Sequence, residues 1–192
     1  MYYFLILLVI GFSSNIASSF TTTYSEKWGS KTGTFVTIIL RDVLGIPVWA
    51  IGFVMAIHEP AVILYSSSLL SQVAGWLIIS AGCAIIIIAL ISLKIKAAAP
   101  STKDKLIKTG IYSRVRHPVH IGTAMEFAGL LILWPSLKVA IAAILGFGWI
   151  ILQSRFEEQD LVKRMPEYRQ YMSVVPGFFP WKKPENNVKT IP

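Results

Sequence analysis

The chain holds one cysteine, Cys83, and it lies within an apolar run. No intrachain disulfide can form, and the clustered thiols of a structural zinc site are missing. Charge is scarce as well. Only 15% of the 192 residues are Asp, Glu, Lys or Arg, against about 25% in an ordinary soluble domain. There is no internal repeat, no low-complexity tract and no glycine-rich fingerprint between a strand and a helix. Gly146-Phe147-Gly148 falls inside an apolar segment and reads as helix packing. A phosphate-binding loop and a serine elbow are also lacking. Together these absences exclude a disulfide-stapled scaffold, a nucleotide-binding α/β domain, an α/β-hydrolase and an ordinary soluble domain.

What the sequence has is apolar length. Hydrophobic residues make up 54% of the chain and the mean hydropathy is +0.61. This is the composition of an integral membrane protein, too short to carry a separate soluble domain. A spanning helix takes about 20 apolar residues, and five segments qualify: 2–20, 35–57, 69–93, 119–134 and 137–152. The expected fold is all-α, a polytopic membrane bundle of about five helices forming a single domain over 1–192. Trp134-Pro135-Ser136 is a tight turn that makes the last two spans a hairpin. Met1–Ile10 lacks the basic start of a signal peptide and reads as part of a retained span. Ala97-Ala98-Ala99-Pro100 is a short linker. From Arg155 to about Met172 the chain reads as a helical extension of the fifth span. It ends in the irregular Val175–Trp181, whose aromatics belong in the headgroup layer.

The formal net charge is +8, yet the basic residues cluster at the ends of apolar segments. That placement fits anionic headgroups and excludes a nucleic-acid partner. Of the eighteen Lys and Arg residues, all but Lys138 fall on one side when the spans alternate. The positive-inside rule then puts the N-terminus outside and the C-terminus in the cytoplasm.

Two charged clusters sit at the mouths of apolar segments on that cytoplasmic side: Arg116-His117-Pro118-Val119-His120 and Glu157-Glu158. A charge beside hydrocarbon costs roughly 2.5–3.5 kcal/mol on insertion scales, so such groups mark a site. Pro118 suits the first position of a helix, whose free N–H groups and positive dipole end suit an anion. The bland alternative is a basic anchor on lipid phosphate. His117 and His120 share a helix face, but the third histidine, His58, belongs to the opposite side, so no metal is expected. Glu126 shares a face with Gly122 and Gly129, small residues that permit close helix approach. It serves either as a hydrogen bond to a neighbouring helix or as a contact for a cationic ligand. Glu157 and Glu158 point about 100° apart on a helix; either they are simply solvated at the helix exit, or one grips an ammonium group while the other pairs with Arg155 or another basic residue. Tyr168 and Tyr171 share a face and either close over a ligand or anchor the tail.

Gly110-Ile111-Tyr112, Arg116-His117-Pro118, Gly122, Glu157-Glu158, Leu161, Tyr168, Tyr171 and Val175-Pro176 together resemble the isoprenylcysteine carboxyl methyltransferase and phospholipid methyltransferase superfamily. The resemblance runs from Leu106 to Trp181. It implies a cytoplasm-facing S-adenosylmethionine pocket, capped by loop 106–118 and tail 155–181. Tyr112, His117, Pro118 and Gly122 would line the cofactor, with Glu157 on its amino group, Glu158 in support and Gly82 of the third span alongside. Arg116, His120 and Glu126 would act on the acceptor. His120 stands where the family usually has tyrosine, and Glu126 is outside the general pattern; both bear on the acceptor. The implied acceptor is lipophilic and enters from the bilayer among membrane lipids. A carboxylate or thiolate needs little base assistance, whereas an amine or hydroxyl needs a proton acceptor such as His120 or Glu126. Two other readings stand beside this one: an NADPH-dependent membrane sterol- or steroid-type reductase, and a non-enzymatic lipid-binding membrane protein.

Overall fold

The computed structural model describes residues 2–94 and 105–180. The Ala97–Pro100 linker and Trp181 lie outside the described residues. In chain order the elements are α1 (Tyr3–Ser18), α2 (Thr21–Trp28), α3 (Ser30–Ile38), a π-helical segment (Ile39–Val43), α4 (Ile46–His58) and α5 (Leu69–Leu93). A 3₁₀ turn (Gly110–Ser113), α6 (Pro118–Leu133), α7 (Leu137–Arg164) and α8 (Tyr168–Val174) follow. No strand occurs among the described residues; the one β-bridge, Ile63 with Ser136, pins the α4–α5 loop to the α6–α7 turn.

Among the described residues, three stretches are long and apolar enough to cross a membrane: Ser30–His58, α5 and α7. The chain is therefore an integral membrane protein. Two of the five expected spans fall short of a full crossing. The first expected span, 2–20, is α1, and it reaches spanning length only together with α2, which meets it at 65°. The Ser18 hydroxyl donates back to the Asn15 carbonyl at 2.6 Å, a bond that bends helices. The new N-terminus at α2 is held from far away, as the Thr22 N–H donates to the Asp160 carboxylate at 2.9 Å. The other is α6, as short as the expected 119–134 segment: its 16 residues rise only about 24 Å at 1.5 Å each, against a bilayer core of about 30 Å. It is shielded by α5, which packs along it.

That α5–α6 contact is a glycine seam. A Cβ on Gly82 would lie 2.6 Å from the Gly122 carbonyl oxygen, and one on Gly122 would lie 2.6 Å from that of Gly82. Gly75 and Gly129 repeat the arrangement one step along. Helices in lipid gain little from hydrophobic burial and associate by close packing of this kind. The N-terminal helices join the rest through an aromatic core. Phe53 stacks on Phe127 at 4.6 Å and Phe12 on Trp149 at 4.9 Å, offset geometries worth about 0.5–1.5 kcal/mol each beyond burial.

The tail also departs from expectation. Helix α7 runs on to Arg164 and stops at Met165-Pro166, and α8 is a separate short helix. Pro166 has no N–H to continue the ladder. The break folds α8 back, which buries Met165, Tyr168, Tyr171 and Val175 as a second small core.

Candidate active site

A cavity of about 780 Å³ lies between the N-terminal helices and the α5–α8 half, within the range of small-molecule sites. Its α6–α7 wall carries His117, Pro118, His120, Glu126 and Glu157, and Tyr112, Tyr168 and Tyr171 cap it.

The capping follows from one side chain. Arg116 donates from Nε to Glu158 Oε1 at 2.8 Å and from Nη1 to the carbonyls of Met172 and Val175. Its own N–H bonds the Pro176 carbonyl at 3.0 Å, and that of His117 bonds Gly177 at 3.0 Å. The guanidinium thus ties the loop before α6, the end of α7 and the tail into one lid. Beneath it, the Tyr171 hydroxyl donates to the Tyr112 carbonyl. Gly110 opens this loop at φ +64°, a conformation natural for glycine. Burial pushes the Tyr171 phenol up to about 12. The Tyr112 and Tyr168 phenols are raised above their ordinary range, mainly by burial and further by nearby carboxylates. All three stay neutral donors.

Glu158 does not face the cavity. Its Oε1 meets His117 Nε2 at 2.7 Å and Arg116. A carboxylate only accepts, so this histidine nitrogen carries the proton and Nδ1 is left to point toward Glu157. Glu157 Oε2 is 3.8 Å from that Nδ1, and Glu157 Oε1 is 3.9 Å from His120 Nε2. Neither separation is a hydrogen bond. Two ring nitrogens and a carboxylate therefore face one space. Potential ligand atoms of His117, His120 and Glu157 lie within 4.8 Å of one another, so the trio has the donors for a divalent cation as well. Sequence spacing pairs the two histidines but does not reveal this carboxylate as the third member.

Each residue singled out in the sequence has a definite place. Glu126 faces the cavity and accepts a hydrogen bond from the Cys83 thiol at 3.2 Å. Arg116 lines the cavity edge, but its polar atoms serve the lid. Gly82 and Gly122 face each other in the helix seam. Sequence reasoning missed Thr37, Trp49 and Asp160, which line the cavity from the N-terminal half and α7. Arg41 and Asp42, charges early in the second apolar segment, line it as well. A charge pair followed by Gly45 and Pro47 inside an apolar segment was the available signal.

A model of the phospholipid methyltransferase family matches residues 70–167, just over half of the chain. The chain belongs to this family. The matched segment covers all of α5 but its first residue, then α6 and α7, and so contains the glycine seam, the histidines and both glutamates. Membership makes the protein a membrane methyltransferase and displaces the reductase and lipid-binding readings. No curated protein and no solved structure matches the chain. In the methyltransferase, α1–α4 lie outside the family segment, yet they supply one whole wall of its cavity.

Proposed function

We propose that the protein transfers the methyl group of S-adenosylmethionine to a lipophilic acceptor, an isoprenylcysteine carboxylate or a related lipid, at the cytoplasmic membrane face. The observation that carries this is the convergence of Glu157, His117 and His120 on a space that lacks only a positive group. The residues fit the cofactor's chemistry. Glu157 accepts from its ammonium group, and His117 is fixed in the accepting tautomer by Glu158. The N-terminal turn of α6 offers free N–H groups and a positive dipole end to its carboxylate. Tyr112, Tyr168 and Tyr171 form the aromatic wall against which a base packs.

When bound, the cofactor supplies an activated sulfonium methyl that passes to the acceptor's lone pair as the carbon–sulfur bond breaks. The chain's own contribution is positioning and exclusion of water, which supply several kcal/mol. Tyr112, Tyr168 and Tyr171 of the lid lie over the cavity. His120 and Glu126 face the cavity beyond Glu157 and accept a proton where the acceptor is an amine or hydroxyl. Lys138, the one Lys or Arg at the far end among the described residues, is paired with Glu59; this charge asymmetry supports a cytoplasmic site.

Calorimetric titration of S-adenosylmethionine and S-adenosylhomocysteine into detergent-purified protein tests the reading, with Glu157→Ala alongside. Saturable binding that the substitution weakens is the expected result. A folded wild-type sample that binds neither compound overturns it.

A further inference from the structure

His117 and His120 are three residues apart where α6 begins, and both are buried. Packing holds the two rings. His117 lies against Phe178 with centroids 5.5 Å apart, and His120 meets Trp149 edge-on at 6.0 Å. Helix α7 brings Glu157 to both of them, with Oε2 3.8 Å from His117 Nδ1 and Oε1 3.9 Å from His120 Nε2. These separations are too long for hydrogen bonds, so the three side chains do not satisfy one another. One donor atom from each lies within 4.8 Å of the other two.

Four features of this trio suit a metal ion. The first is the partner behind it. A histidine that binds a metal ordinarily donates its other ring N–H to a carboxylate, which fixes the tautomer. His117 does this, since Nε2 meets Glu158 Oε1 at 2.7 Å. The second is charge. Glu158 is balanced by Arg116, which leaves the negative charge of Glu157 beside two imidazoles. The third is donor type. Two nitrogens and one carboxylate suit zinc, whereas magnesium and calcium take oxygen ligands. The fourth is geometry. Neighbouring donors around a tetrahedral zinc lie about 3.3 Å apart, about half an ångström closer than Glu157 stands to either ring. The Glu157 side chain is 35% exposed and is the member with room to move. Zinc imposes no angular preference of its own, so a turn of Glu157 with small rotations of the rings closes the trio on it. The fourth coordination position faces the cavity.

We propose that His117 Nδ1, His120 Nε2 and Glu157 form a binding site for a zinc-type divalent cation, and that this ion and the ammonium group of the cofactor exclude each other. Both are cations that need the same carboxylate, and the ion also takes the lone pair of His117. Zinc is thus a competitive inhibitor built into the cofactor pocket. The exclusion rests on the S-adenosylmethionine reading above, while the ion site rests on the geometry of the three side chains.

The test is equilibrium dialysis of radiolabelled zinc against detergent-purified, tag-free protein, with free zinc fixed by a chelating buffer. Wild type and His120→Phe are compared, each with and without S-adenosylhomocysteine at ten times its own Kd. Phenylalanine keeps a ring against Trp149 and removes one ligand. Wild type is expected to bind zinc saturably and His120→Phe about tenfold or more weakly. The competitor should weaken zinc binding to wild type about tenfold, the factor that mutual exclusion sets, and an equal excess of magnesium should leave it unchanged. A folded wild type that binds no zinc overturns the proposal with the methyltransferase reading intact. Equal zinc binding by wild type and His120→Phe also overturns it, as does displacement of zinc by magnesium. If His120→Phe does not fold, the wild-type competition decides: tenfold weakening supports the proposal, and zinc affinity unmoved by S-adenosylhomocysteine that itself binds overturns it. Zinc binding that needs His120 in a protein that never binds S-adenosylhomocysteine refutes the cofactor reading and leaves the ion site standing.

Discussion

Glu158 Oε1 lies 2.7 Å from Nε2 of His117, and this contact orients the ring whose other nitrogen faces Glu157. The same oxygen takes Arg116, so one carboxylate holds the loop before α6, the histidine tautomer and, through the guanidinium, the tail.

Replacing Glu158 by Gln should therefore cost stability first. It leaves a largely buried guanidinium without its counter-ion, and breaking such a pair costs about 2–3 kcal/mol where some solvent reaches it. Denaturant unfolding followed by tryptophan fluorescence should show the loss, together with weaker S-adenosylhomocysteine binding. An unchanged midpoint would dismiss the lid as held by Arg116–Glu158.

Glu157→Gln should behave in the opposite way. Glu157 is partly exposed and makes no strong ion pair within the chain, so the unfolding midpoint should stay within about 0.5 kcal/mol of wild type. Calorimetry should show S-adenosylmethionine affinity reduced about tenfold or more, the loss of a charge-assisted bond. The contrast between adjacent glutamates is the diagnostic.

Gly82→Ala should separate packing from cofactor contact. The new methyl would lie 2.6 Å from the Gly122 carbonyl oxygen, and backbone must move. Overpacking of this kind costs about 1–3 kcal/mol. Thermal stability in detergent should fall while the folded fraction binds S-adenosylhomocysteine with unchanged affinity; a selective affinity loss at full stability would return Gly82 to the cofactor wall.

The lid should also have an alkaline limit. In the folded protein the Tyr171 phenol is raised to about 12, against about 10 in an unfolded chain. Below pH 10 both states keep the proton and stability is fully present. As pH rises from about 10 toward 12 the unfolded state loses its proton first, so stability falls. Tyr112 and Tyr168 add to the same slope. Tyr171→Phe should lower stability by about 1 kcal/mol at neutral pH through the lost bond to the Tyr112 carbonyl and should make the alkaline decline shallower. Thermal midpoints recorded between pH 8 and 11.5 provide the check.

Much of the architecture is written in local sequence. Helices α5 and α7 are long apolar runs, and the seam partner Gly122 is legible from its spacing to Gly129 on one helix face. What local pattern does not carry is the long-range bonding. The α1–α2 bend depends on Asp160 accepting from Thr22 across 138 residues, and no periodicity announces it. The tail break at Pro166 was legible, because proline ends a ladder wherever it falls, but the basic run around it reads as a continuing helix. At the site, the Glu157-Glu158 pair reads as one ligand and one support. That the support is His117 together with Arg116, and not the adjacent Arg155, follows only from how α7 lies against the start of α6. Arg41 and Asp42 stand out as charges in an apolar stretch; their place on the cavity wall comes from the π-turn, which exists because Gly45 is wedged against Asn15 of another helix.

The lid bonds have a consequence for how the protein is made. The carbonyls that receive Arg116 belong to residues 172–177, which leave the ribosome after α1 through α7. A nascent chain with α1 through α7 already inserted still has Arg116 and the Tyr112 loop without their tail partners. Translation of about sixty residues beyond Arg116 is therefore needed before the lid's bonds can form.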